Sequence, residues 1–342
     1  MACRNLERDY QIDIVIIWVD GCDSDWLETK QQFTPAVNAD DRVSRYRDWD
    51  NLQYIFRGIE KFAPWVNNVF FITWGHLPKW LNTKHQKLRI INHTDYIPAE
   101  YLPTFNANTI ELNFHRINEL SEHFVYFNDD TFLLKKTWAE DFFRDGRPCD
   151  SAVLTAHSHT EDKNFMFMEY RATGLLNKYF KVNDVVRANR RGWFSLKYGK
   201  MLYRSWMLSR FPRFTGIWQQ HLPNSLRKST IVKLWELEGE KLHQTCLNRF
   251  RHMTDFNQWL FKNWQLASND FYPRSVKFGK RFDIDDFDHL DNITDYIVNQ
   301  KGALICINES DPKLSLEGFF AAKESINSSL DRIMPEKSSF EA

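Results

Sequence analysis

Four short runs along the chain are apolar at nearly every position, and each ends abruptly in polar residues. They are IDIVIIWV at 12–19, NVFFITW at 68–74, LRIINH at 88–93 and the stretch before Asn128 in HFVYFNDDTFLL, 123–134. Runs of this length, rich in β-branched and aromatic residues, predict strands buried on both faces. Between them, apolar positions recur at helical spacing. Leu52, Ile55, Phe56, Ile59 and Phe62 form one stripe within 45–65, with Asp48 or Asp50 as N-cap and Pro64 as stop. Ile110, Phe114, Ile117 and Leu120 form another within 105–124, with Asn108 as N-cap. SAVLTAH at 151–157 and ALICINES at 303–310 read as further strands. A helix carrying Leu316, Phe319, Phe320, Ile326 and Leu330 follows the second of these.

This alternation predicts an α/β protein with a Rossmann-like, mostly parallel sheet and helices on both faces. From about 160 to 265, aromatic and basic residues mix and helical periods replace strand runs, which predicts a helical insertion or cap over the sheet. No repeat, low-complexity run or long linker divides the chain. The expected organisation is one catalytic domain over 1–342: an α/β core at 12–158, a helical cap at 159–270, and a C-terminal strand and helix at 271–342.

Composition narrows the function classes. The 342 residues include 45 Lys plus Arg against 45 Asp plus Glu, so no global field favours nucleic acid. Thirteen Trp and 28 Phe predict a thick core and apolar surfaces that sugars or membranes can meet. MACRNLERDYQ lacks the apolar segment of a secretory signal, and no run approaches the ~20 apolar residues of a spanning helix. The five cysteines are scattered and never form a CxxC pair, which argues against a disulfide framework or zinc site. The expectation is a cytoplasmic protein with at most peripheral membrane contact.

Candidate chemistry sits where strands stop. Asn128, Asp129 and Asp130 place three oxygen-bearing side chains at the end of a strand, where ligands of open α/β sheets bind and a divalent cation can be held. The same composition also makes an ordinary turn. Trp18, Val19, Asp20 and Gly21 close the first strand in a short polar loop of the kind that receives nucleotides. Glu111 and His115 stand four apart with Arg116 beside them, either a solvated trio or a site wall. Arg249 and Arg251 precede an expected helix N-terminus capped by Thr254 or Asp255, where anions are welcome. Arg57 reads as a surface cation on its helix. His221 precedes Leu-Pro, and Asn308 and Glu309 end the last strand.

Taken together, four stretches resemble the signature blocks of the Stealth family of sugar-1-phosphate phosphotransferases, which includes bacterial capsule enzymes and the animal GlcNAc-1-phosphotransferase. IDIVIIWVDGCD is similar to the first block. RYRDWDNLQYIFRGIEKFAPWVNNVFFITWGHLPKWLN, LPTFNANTIELNFHRI and HFVYFNDD are similar to the second. HLPNSLRKS with NRFRHMTDFNQWLF is similar to the third, and ICINES with MPEKSSFE to the fourth, where Glu309 replaces the more usual Asp.

The resemblance implies a GT-A-like fold and transfer of hexose-1-phosphate from a UDP-sugar to a hydroxyl of an oligo- or polysaccharide, with release of UMP. It implies Mg²⁺ or Mn²⁺ held by Asp129 and Asp130 with Asn128 in support. His221 becomes the candidate general base, Asp130 the leading acidic residue and Arg251 the phosphate clamp. Trp18 to Gly21 would line a uridine pocket. Arg57, Asn108, Glu111, His115 and Arg116 would complete the nucleotide-sugar site, with Asn257, Gln258 and Asn308 as neighbours. A metal-dependent glycosyltransferase releasing UDP is the alternative, and a lectin-like binder would release no nucleotide. A homo-oligomer is compatible with all three.

Overall fold

The computed structural model describes residues 9–34, 48–158, 164–284, 290–309 and 315–342. The start of the segment read as 45–65, the start of the expected cap at 159, and Cys3 and Ser310 lie outside the described residues.

The strands are β1 (Ile12–Ile17), β2 (Val69–Thr73), β3 (Leu88–Asn92), β4 (His123–Phe127), β5 (Thr131–Leu133), β6 (Phe143–Arg144), β7 (Arg147–Asp150), β8 (Asn224–Arg227), β9 (Tyr272–Pro273), β10 (Gly279–Ile284) and β11 (Leu304–Glu309). The helices are α1 (Ser24–Phe33), α2 (Leu52–Phe62), α3 (His93–Tyr96), α4 (Ala107–Leu112), α5 (Asn164–Tyr179), α6 (Val182–Ala188), α7 (Arg190–Trp193), α8 (Met201–Leu208), α9 (Lys228–Leu247), α10 (Trp259–Ala267), α11 (Leu290–Val298) and α12 (Leu316–Ile333).

The central sheet runs in the order β3-β2-β1-β4-β8. The four apolar runs of the sequence are its first four strands, all parallel. Their side chains are buried on both faces because each face carries its own core. Ile12, Ile14, Phe71 and Phe127 pack with α2 residues on one side. Val15, Phe70 and Tyr126 pack with residues of α4, α9 and α10 on the other. The chain lays β2 and β3 on one side of β1 and then returns to place β4 on the other. That reversal makes a crevice at the carboxyl ends of β1 and β4, the usual ligand position in open α/β sheets. The fold is the expected mixed α/β class.

Several local expectations are corrected. The helix expected over 105–124 is α4 followed by a 3₁₀ turn at Phe114–Arg116. Asn113 stands at the break, where its amide donates to the Thr109 carbonyl at 2.8 Å. The cap of α4 is Asn106, which accepts from the Asn108 N–H, so Asn108 is not the cap. Helix α2 begins after Asn51 with no side-chain cap, while the Asp48 carboxylate accepts from the Asp50 N–H. The stretch 151–157 forms only an isolated bridge between Leu154 and Ile217, and β7 lies just before it.

The expected cap contains part of the central layer. β8 pairs antiparallel with β4, and α9 and α10 contribute to the core on the sheet. Its sequence, Asn-Ser-Leu-Arg, hides the strand because polar residues occupy buried positions there, several of them answered by partners elsewhere in the fold. Asn224 donates to Gln258 at 2.6 Å, and Gln265 donates to the Ser225 carbonyl at 3.0 Å. β11 belongs to a separate sheet, parallel to β10 and antiparallel to β5.

Candidate active site

Two turns meet at the crevice. After β1, Trp18 stacks on Phe71 with ring centroids 5.7 Å apart and meets His76 edge-on at 5.3 Å. The Asp20 N–H donates to His76 Nε2 at 2.7 Å. That bond fixes the imidazole proton on Nδ1, which faces the Asp23 carboxylate at 3.8 Å. Burial holds His76 below the usual histidine range, with Asp23 and Asp20 opposing. The Asp20 carboxylate accepts from the Cys22 N–H at 2.9 Å, closing the loop around Gly21.

After β4, the Thr131 N–H donates to the Asn128 carbonyl and the Ile307 N–H to the Asp130 carbonyl, at 3.3 and 2.9 Å. The acidic turn is therefore clamped between the two sheets. Asp130 accepts from the Thr131 hydroxyl at 3.0 Å and from the Cys306 thiol at 3.4 Å. His221 Nδ1 lies 3.8 Å from the second Asp130 oxygen and 3.3 Å from Cys306 Sγ. Both of these contacts use Nδ1 and leave Nε2 free of them. His221 has φ of +53°, a left-handed conformation that is costly for a residue with a Cβ. It is held there between Cys306, Asp130 and Trp259, whose ring meets the imidazole edge-on at 5.9 Å. Burial lowers the His221 pKa; Asp130 and Asp283 raise it, and Arg281 and Arg251 lower it further. A neutral imidazole with a carboxylate behind it is the arrangement of a general base.

Asp129 reaches the open side of the turn. Crowding by surrounding protein raises its carboxyl to about 7, Asp130 adds to the rise, and Arg251 opposes it. Among the described residues, Arg251 makes no hydrogen bond and no ion pair, although its charge is felt at Glu111, Asp129 and His221. Its loop is fixed from beneath by Asp255, which is fully buried. That carboxylate accepts from the side chains of Asn106, Asn108 and Asn248 and from the His252 N–H, at 2.7 to 3.0 Å.

Glu111 is buried under β4, accepting from the Tyr126 hydroxyl at 3.0 Å and the Gln258 N–H at 2.9 Å. Burial raises its pKa against the Gln258 bond and the Arg251 charge. It supports the floor of the crevice rather than a wall shared with His115.

The remaining predicted residues divide. His115 and Arg116 turn away with the broken helix and pack on Trp235, with centroid distances of 5.7 and 5.3 Å. Asn108 is committed to Asp255 and the Met168 sulfur. Arg57 is corrected outright. Its Nε and Nη2 donate to Glu341 at 2.8 and 2.9 Å, and its Nη1 donates to the Met334 carbonyl and Asp331. Arg249 donates to the Pro103 carbonyl and covers the Phe33 ring, so it clamps the loop and is not bare for phosphate. The N-cap of α10 is Gln258, in place of Thr254 or Asp255, and the Asn257 side chain just before it accepts from the Trp259 N–H. Asn308 donates to Asp283 at 2.9 Å, and Glu309 ends β11 opposite Ile284.

Sequence reasoning missed Cys306, His76, Trp259 and the Arg281–Asp283 pair. Only Gly75-His76 after a strand gave a signal, as one more strand-end loop. As a cation site, Asn128, Asp129 and Asp130 offer oxygen donors in one turn, the set that suits Mg²⁺ or Mn²⁺. Asp130, His221 and Cys306 also bring one donor each within 4.8 Å of one another.

Comparison with known proteins now fixes the family. Conserved region 2 of Stealth proteins matches residues 45–149. The chain is 37% identical over 341 residues to the capsular polysaccharide phosphotransferase WcwK of Streptococcus pneumoniae, covering 99% of both chains. The chain belongs to the Stealth family.

Other relatives agree. The exopolysaccharide phosphotransferase cps2G of Lactiplantibacillus plantarum is 37% identical, with 97% of this chain and 96% of that one covered. The receptor polysaccharide phosphotransferase WefC of Streptococcus gordonii is 37% identical over 97% and 99%. Among solved structures, the bifunctional glycosyltransferase WbbM is similar at 11% identity and a TM-score of 0.42, over 97% of this chain and 53% of that one. A mutant of LgtC is similar at 10% identity and a TM-score of 0.39, over 92% and 95%. This Stealth protein is a transferase of phosphorus-containing groups. Among its described residues, no helix is long and apolar enough to cross a membrane.

Proposed function

We propose that this Stealth protein moves hexose-1-phosphate from a UDP-sugar to a hydroxyl of a growing cell-surface polysaccharide, forming a phosphodiester and releasing UMP. The observation that carries the reading is the convergence on the acidic turn after β4 of His221, Asp130 and Arg251, which has no partner among the described residues. The named activities of relatives that match nearly the whole chain support the same reaction.

In this reading the acceptor hydroxyl loses its proton to His221 Nε2 as its oxygen attacks the sugar-bearing phosphorus. The new P–O bond forms as the pyrophosphate bond to UMP breaks. Cys306 Sγ, itself bonded to Asp130, holds the imidazole at Nδ1, and the Asp130 carboxylate 3.8 Å away stabilises the imidazolium that results. Arg251 offers two-pronged donation to the phosphate oxygens, which carry most of the charge of a loose phosphoryl transition state. Trp18 to Gly21 receive the uridine, with Trp18 as the stacking surface. Asn128, Asp129 and Asp130 are the residues to hold Mg²⁺ or Mn²⁺, which when bound would neutralise pyrophosphate oxygens.

The test is product analysis after incubation with Mg²⁺, a panel of UDP-sugars and capsule oligosaccharide. Release of UMP with phosphorus entering the polymer is the expected result. Release of UDP would assign a glycosyltransferase instead, and binding without nucleotide release would assign a lectin-like role.

A further inference from the structure

The segment the function leaves unused is the basic, aromatic stretch between α6 and β8. From Val185 to Trp235 the sequence contains no Asp or Glu, although the chain as a whole is neutral. Within that stretch α8 is mounted inside out. Its small polar residue faces inward, where the buried Ser205 hydroxyl accepts from the Leu154 N–H at 3.0 Å. Arg204 beside it donates to the Leu154 carbonyl at 3.0 Å. The aromatic face looks outward, with Tyr203 67% and Trp206 47% exposed. Leu196 just before the helix is 88% exposed, and Phe211 just after it is 52% exposed.

Phe194, Leu202, Tyr203 and Trp206 line an open hollow of about 410 Å³. Its walls are almost wholly apolar. Cations flank α8 in the sequence. Arg190, Arg191, Lys197 and Lys200 precede α8 and are exposed, and Arg210 and Arg213 follow it. Arg210 lies over the Trp206 ring at 3.9 Å, so charge and aromatic surface are presented together.

We propose that this face docks on an anionic lipid bilayer, with Leu196, Tyr203, Trp206 and Phe211 entering the headgroup boundary and Arg210 and the exposed cations flanking α8 meeting anionic headgroups. Aromatic and aliphatic side chains on one face with Lys and Arg around them are what interfacial binding requires. An anionic polysaccharide would also attract the cations and stack on Trp206. It would leave Leu196 and Phe211 in water, however, and find no polar group in the hollow to read its hydroxyls. The bilayer covers all of them. This docking does not depend on the reaction assigned to the crevice.

The full chain is floated with vesicles containing phosphatidylglycerol and with neutral phosphatidylcholine vesicles. Expected is binding to the anionic vesicles that falls with salt and falls about fivefold for each of Arg190→Gln and Arg210→Gln. Leu196→Ser and Trp206→Ser, both at exposed positions, are expected to reduce it at least tenfold in the pair. Thermal melting checks that each variant is folded. Absence of vesicle binding overturns the proposal, as does equal binding by all variants. Binding of a soluble polyanion such as heparin with no vesicle binding overturns it in favour of a glycan surface. Concentration-dependent dimerisation lost in Leu196→Ser overturns it in favour of a second copy.

Discussion

Arg57 and Arg251 stand in segments that resemble the same family, yet the structure treats them oppositely. Arg57 has its donors filled by Glu341, Asp331 and the Met334 carbonyl, and its side chain is only 12% exposed. It ties the C-terminal tail to α2. Arg251 is carried on a loop that Asp255 fixes with four hydrogen bonds, yet its own guanidinium has no partner among the described residues. Asp129 and His221 share this condition of being held in place with chemistry unsatisfied. One region uses charge to close the structure, and the other keeps charge available by having neighbours do the closing.

The largest effect expected from breaking that division is in the crevice. His221→Ala should lower transfer by two to four orders of magnitude, the usual worth of a positioned general base, with little change in Tm. Relief of the left-handed backbone does not follow, because alanine also carries a Cβ. A purified, folded His221→Ala enzyme with near-normal turnover would remove the imidazole from the reaction. Asp130→Asn sharpens the point, since it keeps the shape but removes the charge behind Nδ1.

The complementary change is Arg57→Ala. Glu341 is 4% exposed at its side chain, so deleting its partner leaves a buried carboxylate. The expected loss is about 2–4 kcal/mol of stability. Activity per folded molecule should be unchanged. Denaturant unfolding against turnover separates the two, and a loss of turnover without a loss of stability would return Arg57 to the site.

Much of this arrangement was legible in the sequence, and the exceptions have physical causes. The parallel strands announced themselves because burial on both faces leaves no polar position between residues such as Ile14, Val15 and Ile16. The acidic turn and the histidine stood out as types placed where strands end or blocks match. β8 was illegible because the Asn224 side chain and the Ser225 carbonyl find their partners in Gln258 and Gln265, more than thirty positions along the chain. Arg57 was misread because its partner Glu341 is 284 positions away. Cys306 looked like a stray thiol until β11 brought it against His221. Composition also could not tell that Asn113 would interrupt the helical stripe and send Glu111 and His115 in different directions.

On the acid side, the supporting histidines should set the limit of stability. Burial lowers both His93 and His115 to about 4. Their unfolded values lie near ~6.5, so below that pH the unfolded chain takes up protons that the folded chain refuses. Stability should therefore be intact above pH 6.5 and fall as pH drops towards 4, by on the order of 1–3 kcal/mol for each. His115→Phe, which keeps a ring against Trp235, should flatten part of that slope. An unchanged Tm-versus-pH curve in this variant would mean that His115 is not refused its proton.

Asp129 should give the smallest effect, with the opposite sign. Its carboxyl is raised to about 7, so the unfolded chain releases the proton first as pH rises from the ordinary carboxylate range. The cost of holding Asp129 in the turn therefore appears between about pH 4 and 7 and persists above it. Asp129 is exposed, so water screens much of this cost; in metal-free buffer Asp129→Asn should melt at the same temperature as the parent near pH 4 and about a degree higher at pH 8. The same variant should lose transfer activity, because the charge that strains the turn is the one offered to a cation and to the donor phosphates. A gain in Tm confined to pH 4, or none at pH 8, would make Asp129 an ordinary solvated turn residue. Arg251 would then have only Glu111 to oppose, and the contrast with Arg57 would rest on His221 and Asp130 alone.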